Sequence, residues 1–254
     1  YTLWHTLSLH DALPIYTADG PVRGVCFRAV GGNDKATVDH LAIDCGFADG
    51  AAARACVRPG DAVSWARPPV EAAGGRLVGP ATDDRVGVVA VCECLVSAAA
   101  DKRKSAPRVS VASCTMEEGP TRMGAIQSAQ RLRPDLVINL DTISADDYRG
   151  CGTIRLGGGP VIARGGANHA ATSDAAIALA EKLGLPHQIE PVGRQTGTDL
   201  EAALQFAGPQ AVGLCVSIPH RHYHTPAEMF DPADLAATIK LVSALITHPL
   251  AMLG

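Results

Sequence analysis

Aromatic side chains are scarce, at 4% of the 254 residues. Few rings are therefore available to stack on sugars, which weighs against carbohydrate processing. No apolar stretch is both long enough and free enough of charge to span a bilayer as a helix. A basic face is also lacking: the formal net charge is -4, the wrong sign for a nucleic-acid partner. Closely spaced cysteine sets are missing too. The eight cysteines fall at 26, 45, 56, 92, 94, 114, 151 and 215, and only Cys92 and Cys94 are near neighbours. On a helix those two do not face each other, and no second pair completes a zinc ribbon. Buried free thiols in a reducing compartment follow, with a cytoplasmic location as the expectation. What the chain does have is apolar mass. With 47% hydrophobic residues it can build one large domain, or a large domain carrying a small one.

Three stretches divide the chain. Tyr1–Ile15 reads as a processing scar: Thr6–Ile15 resembles one frame of a translated sequencing-library adapter, and Tyr1–His5 fits its flank. On that reading His10 and Asp11 are not catalytic candidates, and the natural N-terminal part of the protein is missing. Residues 16–78 are rich in glycine and short alternating runs. Val22–Val30 ends at the turn cluster Gly31-Gly32-Asn33-Asp34, Leu41–Gly46 and Ala62–Ala66 read as strands, Gly75–Gly79 as a fourth, and Asp49–Cys56 as a short capped helix. These predict a small all-β domain. Residues 79–254 alternate helix and strand. Helices are predicted at Asp83–Ala100, Ala125–Leu132, Asp174–Leu183, Leu200–Phe206 and Pro232–Ile246. Strands are predicted at Val109–Ala112, Leu136–Asp141, Gln188–Pro191 and Ala211–Ile218. The whole predicts an α/β fold, a mostly parallel sheet sandwiched by helices, with the small β domain inserted.

The stretch Ser113–Gly124 is the one the chain is organised around. The run Val109–Ala112 leads into adjacent carboxylates, Glu117 and Glu118, and then a glycine- and proline-containing turn. Neighbouring side chains on a strand point to opposite faces, so such a pair can serve two partners, one a metal and the other a substrate. Taken alone, the pair reads equally as two surface acids at a strand–loop junction.

Four segments place oxygen or imidazole donors at strand–loop junctions: Thr82–Arg85, Met116–Gly119, Asn139–Thr142 and Arg221–Pro226. In an open α/β sheet, ligands gather at the carboxyl ends of strands. Carboxylates with histidine suit Zn, Co or Mn. A carboxylate shared by two ions lets both act on one water, and a nearby carboxylate can take its proton. Each segment singly has a plainer reading, Asp141 as a cap and the histidine run as a polar loop.

In order, the segments resemble the signatures of the tetrahedral-shell aminopeptidases, the glutamyl-aminopeptidase-like metallopeptidase family numbered forty-two. The resemblance is carried by Ala81–Gly87, Glu117–Ala125, Pro134–Asp141, Gly197-Thr198-Asp199 and Ile218–Met229. It implies a zinc-exopeptidase-like fold and two divalent ions. Asp83 would bridge the ions, and Glu118 and His224 would complete the first with it. Asp141 would bind the second, and Glu117 would be the general base. Asp84, Arg85, Asp199 and Arg221 would stand behind the ligands or beside the substrate. The Asp83–Asp84 peptide would be cis. Dimers would assemble to a dodecamer. The family's remaining ligand, a histidine in a His-x-Asp motif, has no match here. His10-Asp11 has the wrong spacing, and His40 lies inside the β region.

The expected function is a metal-dependent aminopeptidase acting on short peptides, weak in this chain because one ligand is absent. Two alternatives remain open. Glycoside hydrolysis needs carboxyls flanking the bond, which adjacent glutamates supply poorly. A non-catalytic metal-binding scaffold is the other. Neither a membrane nor a nucleic-acid partner is expected.

Overall fold

The computed structural model describes residues 12–28, 40–65, 68–103, 106–147 and 153–247. His10, Asp11 and the turn Gly31–Asp34 lie outside them. Two sheets form. The smaller has four strands in the order β3-β2-β1-β4: β1 (Ala12–Thr17), β2 (Gly20–Arg28), β3 (Leu41–Asp44) and β4 (Ala62–Val63). Helix α1 (Gly50–Cys56) starts where the Asp49 carboxylate accepts the Ala51 and Ala52 N–H groups, at 2.8 and 2.9 Å. Leu13, Ile15 and Cys26 are buried. Ala12–Ile15, set aside in the sequence reading, thus pairs as part of β1.

Among the described residues the larger sheet has seven strands. They are β5 (Val70–Glu71), β6 (Leu77–Gly79), β7 (Leu136–Ser144), β8 (Val161–Gly165), β9 (Gln188–Val192), β10 (Val212–Arg221) and β11 (Glu228–Phe230). β6, expected at Gly75–Gly79 as a strand of the small domain, pairs with β11 instead, and β5, at which no strand was expected, pairs with β6. The change of sheet therefore falls before Val70 and not at Gly79.

The sheet is also mixed where mostly parallel strands were expected. Among the described residues only β7–β10 and β8–β9 run parallel; β10 meets β8 and β11 antiparallel. The reason is that β10 takes its second edge from strands that return by hairpin or loop. Pro219, which has no N–H to give a ladder, stands between the β8 pairs at Val216–Ser217 and the β11 pairs at His220–Arg221.

β10 is apolar almost throughout and buried from Gly213 to His220. Its alternation builds the layers. Leu214 and Val216 pack with Ala176, Ala180, Leu241, Val242 and Leu245, which come from α4 (Ala170–Lys182) and α6 (Pro232–Thr247). Cys215 packs the other way with Leu200 of α5 (Leu200–Phe206) and with Ala163 and Val192. α2 (Thr82–Ala100) joins the first layer through Cys94, and α3 (Met123–Leu132) joins the second through Ala125 and Ala129.

The strand expected at Val109–Ala112 does not form. That segment and β7 instead both line a cavity of about 470 Å³, with Val109, Val111, Leu136, Ile138, Leu140 and Val242 in its wall. Among the described residues β7 pairs with β10 alone. A sequence run with strand character finds no neighbour there to complete a ladder.

Candidate metal centre

Four chain segments deliver the expected donors, Glu118 from the segment before α3 and the others from three segments at one end of the larger sheet. After β6, Pro80 and Ala81 turn the chain into α2, with Ala81 at φ 49°. Asp83 and Asp84 keep non-helical backbone, and the peptide between them is cis, as expected. The Asp84 Oδ1 accepts the Gly87 N–H at 3.0 Å and starts the regular helix. A Cβ on Gly87 would overlap that carboxylate. β7 carries Asp141. β10 runs out at Arg221 into the loop to β11, where His222 and His224 both take φ of 58°.

His224 is the meeting point. Its Nε2 lies 3.1 Å from Asp83 Oδ2 and 3.0 Å from Glu118 Oε1. Asp83, Glu118 and His224 can offer donor atoms within 4.8 Å of one another, and so can Asp83, Asp84 and Asp141. Asp83 belongs to both groups. The structure thus brings together Asp83, Glu118, Asp141 and His224 and adds Asp84, which the sequence reading placed behind the ligands.

The electrostatics fit a cation. Burial pushes Asp84 up to about 9, with Asp141 adding to it. Burial likewise pushes Asp141 up to about 8, against the Thr142 N–H bond that favours the charged form. The Asp83 carboxyl is raised by burial, while the Thr142 hydroxyl and His224 act the other way. No ion pair among the described residues involves Asp84 or Asp141. Crowded carboxylates without a positive partner hold protons or bind a cation. Together with an imidazole nitrogen they make the donor set that Zn, Co or Mn accepts.

Glu117 points elsewhere. Its Oε1 stands 3.1 Å from Arg122 Nη2, an ion pair without hydrogen-bond alignment. Arg122 also donates to the carbonyls of Gly197 and Thr198. Burial raises the Glu117 carboxyl, and Arg122 pulls it down. Asp199 is buried near Arg122 and Cys114, with Oδ1 free of any hydrogen bond among the described residues. Two other expected groups have occupied side chains. Arg85 donates to the carbonyls of Ala81, at 2.6 Å, and Pro80. Arg221 makes a bidentate pair with Asp147 at 2.8 and 2.7 Å.

Sequence reasoning missed three neighbours. Arg122 and Glu228 lay inside quoted signatures but had no role. His220 is fully buried and stacks on Phe230 with ring centroids 5.4 Å apart. Only the fold shows what each faces.

A family profile described as M42 glutamyl aminopeptidase matches residues 4–241. The lysyl aminopeptidase of Pyrococcus furiosus is 31% identical over 173 residues, covering 67% of this chain and 48% of its own length. The chain therefore spans about half the length of that curated relative. Among solved structures, aminopeptidase APDkam598 of Desulfurococcus kamchatkensis superposes with a TM-score of 0.77 at 24% identity, over 96% of this chain and 70% of that one. The TET1 peptidase of Pyrococcus horikoshii, described as assembling into a tetrahedron or a large octahedral shell, gives 0.72 at 23% identity, over 94% and 72%.

Proposed function

The chain belongs to the M42 glutamyl aminopeptidase family, and on that premise we propose that it is the core of a metal-dependent aminopeptidase releasing N-terminal residues from short peptides. One observation carries the reading. Asp83 is shared by two donor groups, the first completed by Glu118 and His224, the second by Asp84 and Asp141. A shared carboxylate is what a pair of divalent ions needs. Bound there, Zn, Co or Mn would polarise the scissile carbonyl and lower the pKa of a bound water.

The chain's own residues do the rest. Asp83, Glu118, Asp141 and His224 bind and orient, with Asp84 beside them. Glu117 holds the proton taken from water on a carboxylate oxygen; its half-buried site and its Arg122 partner set how readily it does so. Asp199 and Arg221 stand behind the ligands or beside the substrate, Arg221 held by Asp147. The described residues provide a histidine to one donor group and only carboxylates to the other. We therefore expect one ion to bind more tightly than the second, and slow turnover from this chain alone.

Self-association is part of the proposal. The Pyrococcus horikoshii relative forms shells, and the small sheet exposes Tyr16, Val25 and Phe27, side chains suited to a contact between copies. No helix among the described residues is long and apolar enough to cross a membrane; the cytoplasmic location is carried by the free thiols alone. Glu117 turns to Arg122 and Glu118 to His224, so the glycosidase alternative gains no support from their arrangement.

The test is direct. Metal content and affinity are measured for the purified chain with Zn, Co and Mn, and hydrolysis of an aminoacyl-anilide panel is followed with and without chelator. Metal-dependent release of the N-terminal residue supports the reading. Metal binding with no cleavage of any substrate, even in a longer version of the protein, leaves a binding scaffold instead.

A further inference from the structure

The buried side chain of Glu228 joins the two halves of the metal centre through their backbones. It sits on β11, 3% exposed, opposite Gly79 of β6. Its Oε2 accepts the Asp83 N–H at 2.8 Å and the Thr82 hydroxyl at 3.0 Å. Its Oε1 accepts the His224 N–H at 3.0 Å. One carboxylate therefore takes three donors from two loops that are far apart in sequence. Neither loop is held by regular structure at that point. Asp83 departs from helical backbone inside α2, and His224 has φ of 58°, a region a non-glycine residue enters only when its surroundings impose it.

We infer that Glu228 is a positioning residue for the metal centre, a bracket that sets the spacing between Asp83 and His224. The inference rests on the metal-centre reading for its purpose, though not for its geometry. A flexible loop would let the His224 imidazole leave Asp83. The bracket fixes the main chain at each ligand, so that the two side chains converge before an ion arrives. Partners of this kind behind a ligand orient it, and their loss typically costs about 10–100-fold in metal affinity. An amide in place of the carboxylate keeps the size but leaves one of the two oxygen positions as a nitrogen, which cannot accept from an N–H or O–H donor.

The experiment uses the full chain and four proteins: unaltered, Glu228→Gln, Glu228→Asp and Asp234→Asn. Asp234 is an equally buried carboxylate that accepts from Gly157 and Gly159 N–H groups, at 2.8 and 2.7 Å. It is no part of the metal centre and serves as the control for loss of a buried acceptor. Two readouts are taken. Zinc affinity comes from competition with a chromophoric chelator. Amide hydrogen exchange is followed in metal-free protein over the loops containing Asp83 and His224. The expected result for Glu228→Gln is faster exchange at the loop that meets the amide nitrogen and zinc binding about 10–100-fold weaker. Glu228→Asp recovers part of both. Asp234→Asn loosens its own loop and lowers the unfolding temperature but leaves zinc affinity as it was. Unchanged exchange at both loops in Glu228→Gln overturns the bracket. So does an equal loss of zinc affinity in Asp234→Asn. If the unaltered chain binds no zinc, the metal reading falls, and the exchange at the two loops still decides for or against the bracket.

Discussion

Arg122 ties the Glu117 carboxylate, 3.1 Å from its Nη2, to the carbonyls of Gly197 and Thr198. The proposed base is thus anchored to the loop before α5, while its neighbour Glu118 turns to His224. Adjacent residues in the chain are divided between two tasks by what each one meets. The cation also opposes the effect of burial on Glu117.

Removing that cation has a definite sign. Without Arg122, burial acts on Glu117 unopposed and its carboxyl rises further. In Arg122→Ala the acid limb of the pH profile of kcat/KM moves to higher pH. The rate at neutral pH falls roughly tenfold or more, part of the ~10²–10⁴ that a positioned base contributes. Arg122→Lys keeps a charge and shifts less. A profile that stays in place removes Arg122 from the account.

The sharing of Asp83 predicts unequal losses. Asp83→Asn weakens both donor groups, whereas His224→Ala weakens only the one that contains it. Each loss is expected to reach at least the ~10–100-fold seen for groups behind a ligand. Metal stoichiometry and affinity distinguish them. Equal effects of the two substitutions on both ions would remove the bridging role.

Metal-free protein has a characteristic pH response. Asp84 and Asp141 titrate at about 9 and about 8 in the fold, well above their unfolded value of about 4. The folded chain binds more protons than the unfolded one between those limits, so stability falls as pH rises from about 4 to about 9. Divalent metal replaces the protons and reverses the trend, because its affinity rises as the carboxyls ionise. Unfolding temperatures across that range, with chelator and then with zinc, check both signs. Stability that climbs with pH in chelator contradicts the crowded-carboxylate picture.

Gly87 is predicted to tolerate no side chain. A methyl there meets the Asp84 carboxylate. Gly87→Ala should cost about 1–3 kcal/mol as overpacking does and should displace Asp84 from the group it shares with Asp83 and Asp141. Denaturant unfolding and metal titration are the measurements. Unchanged stability would mean that Asp84 moves aside freely.

Much of this protein is written locally. Apolar spacing in Leu200–Phe206 and Pro232–Ile246, and the Asp49 cap, marked helices that form within a residue of where they were expected. The donor residues were legible too, because carboxylates and imidazole at strand ends are a chemical statement about residue type. Pairing was not legible. Val109–Ala112 has the composition of a strand but no ladder, and β8 and β11 were missed because short strands exist only through their partners. Leu77–Gly79 joined the larger sheet because β11 offers it an edge.

The same division runs through the site. The chain by itself determined which side chains could hold an ion and their order along the sequence. Tertiary structure alone decided that Asp84 stands with those side chains, and that Glu228 receives the N–H groups of Asp83 and His224. Residue type and local period are carried by neighbours in sequence. Convergence of distant loops depends on how the sheet stacks β6, β11, β10 and β7, and that is a property of long-range pairing.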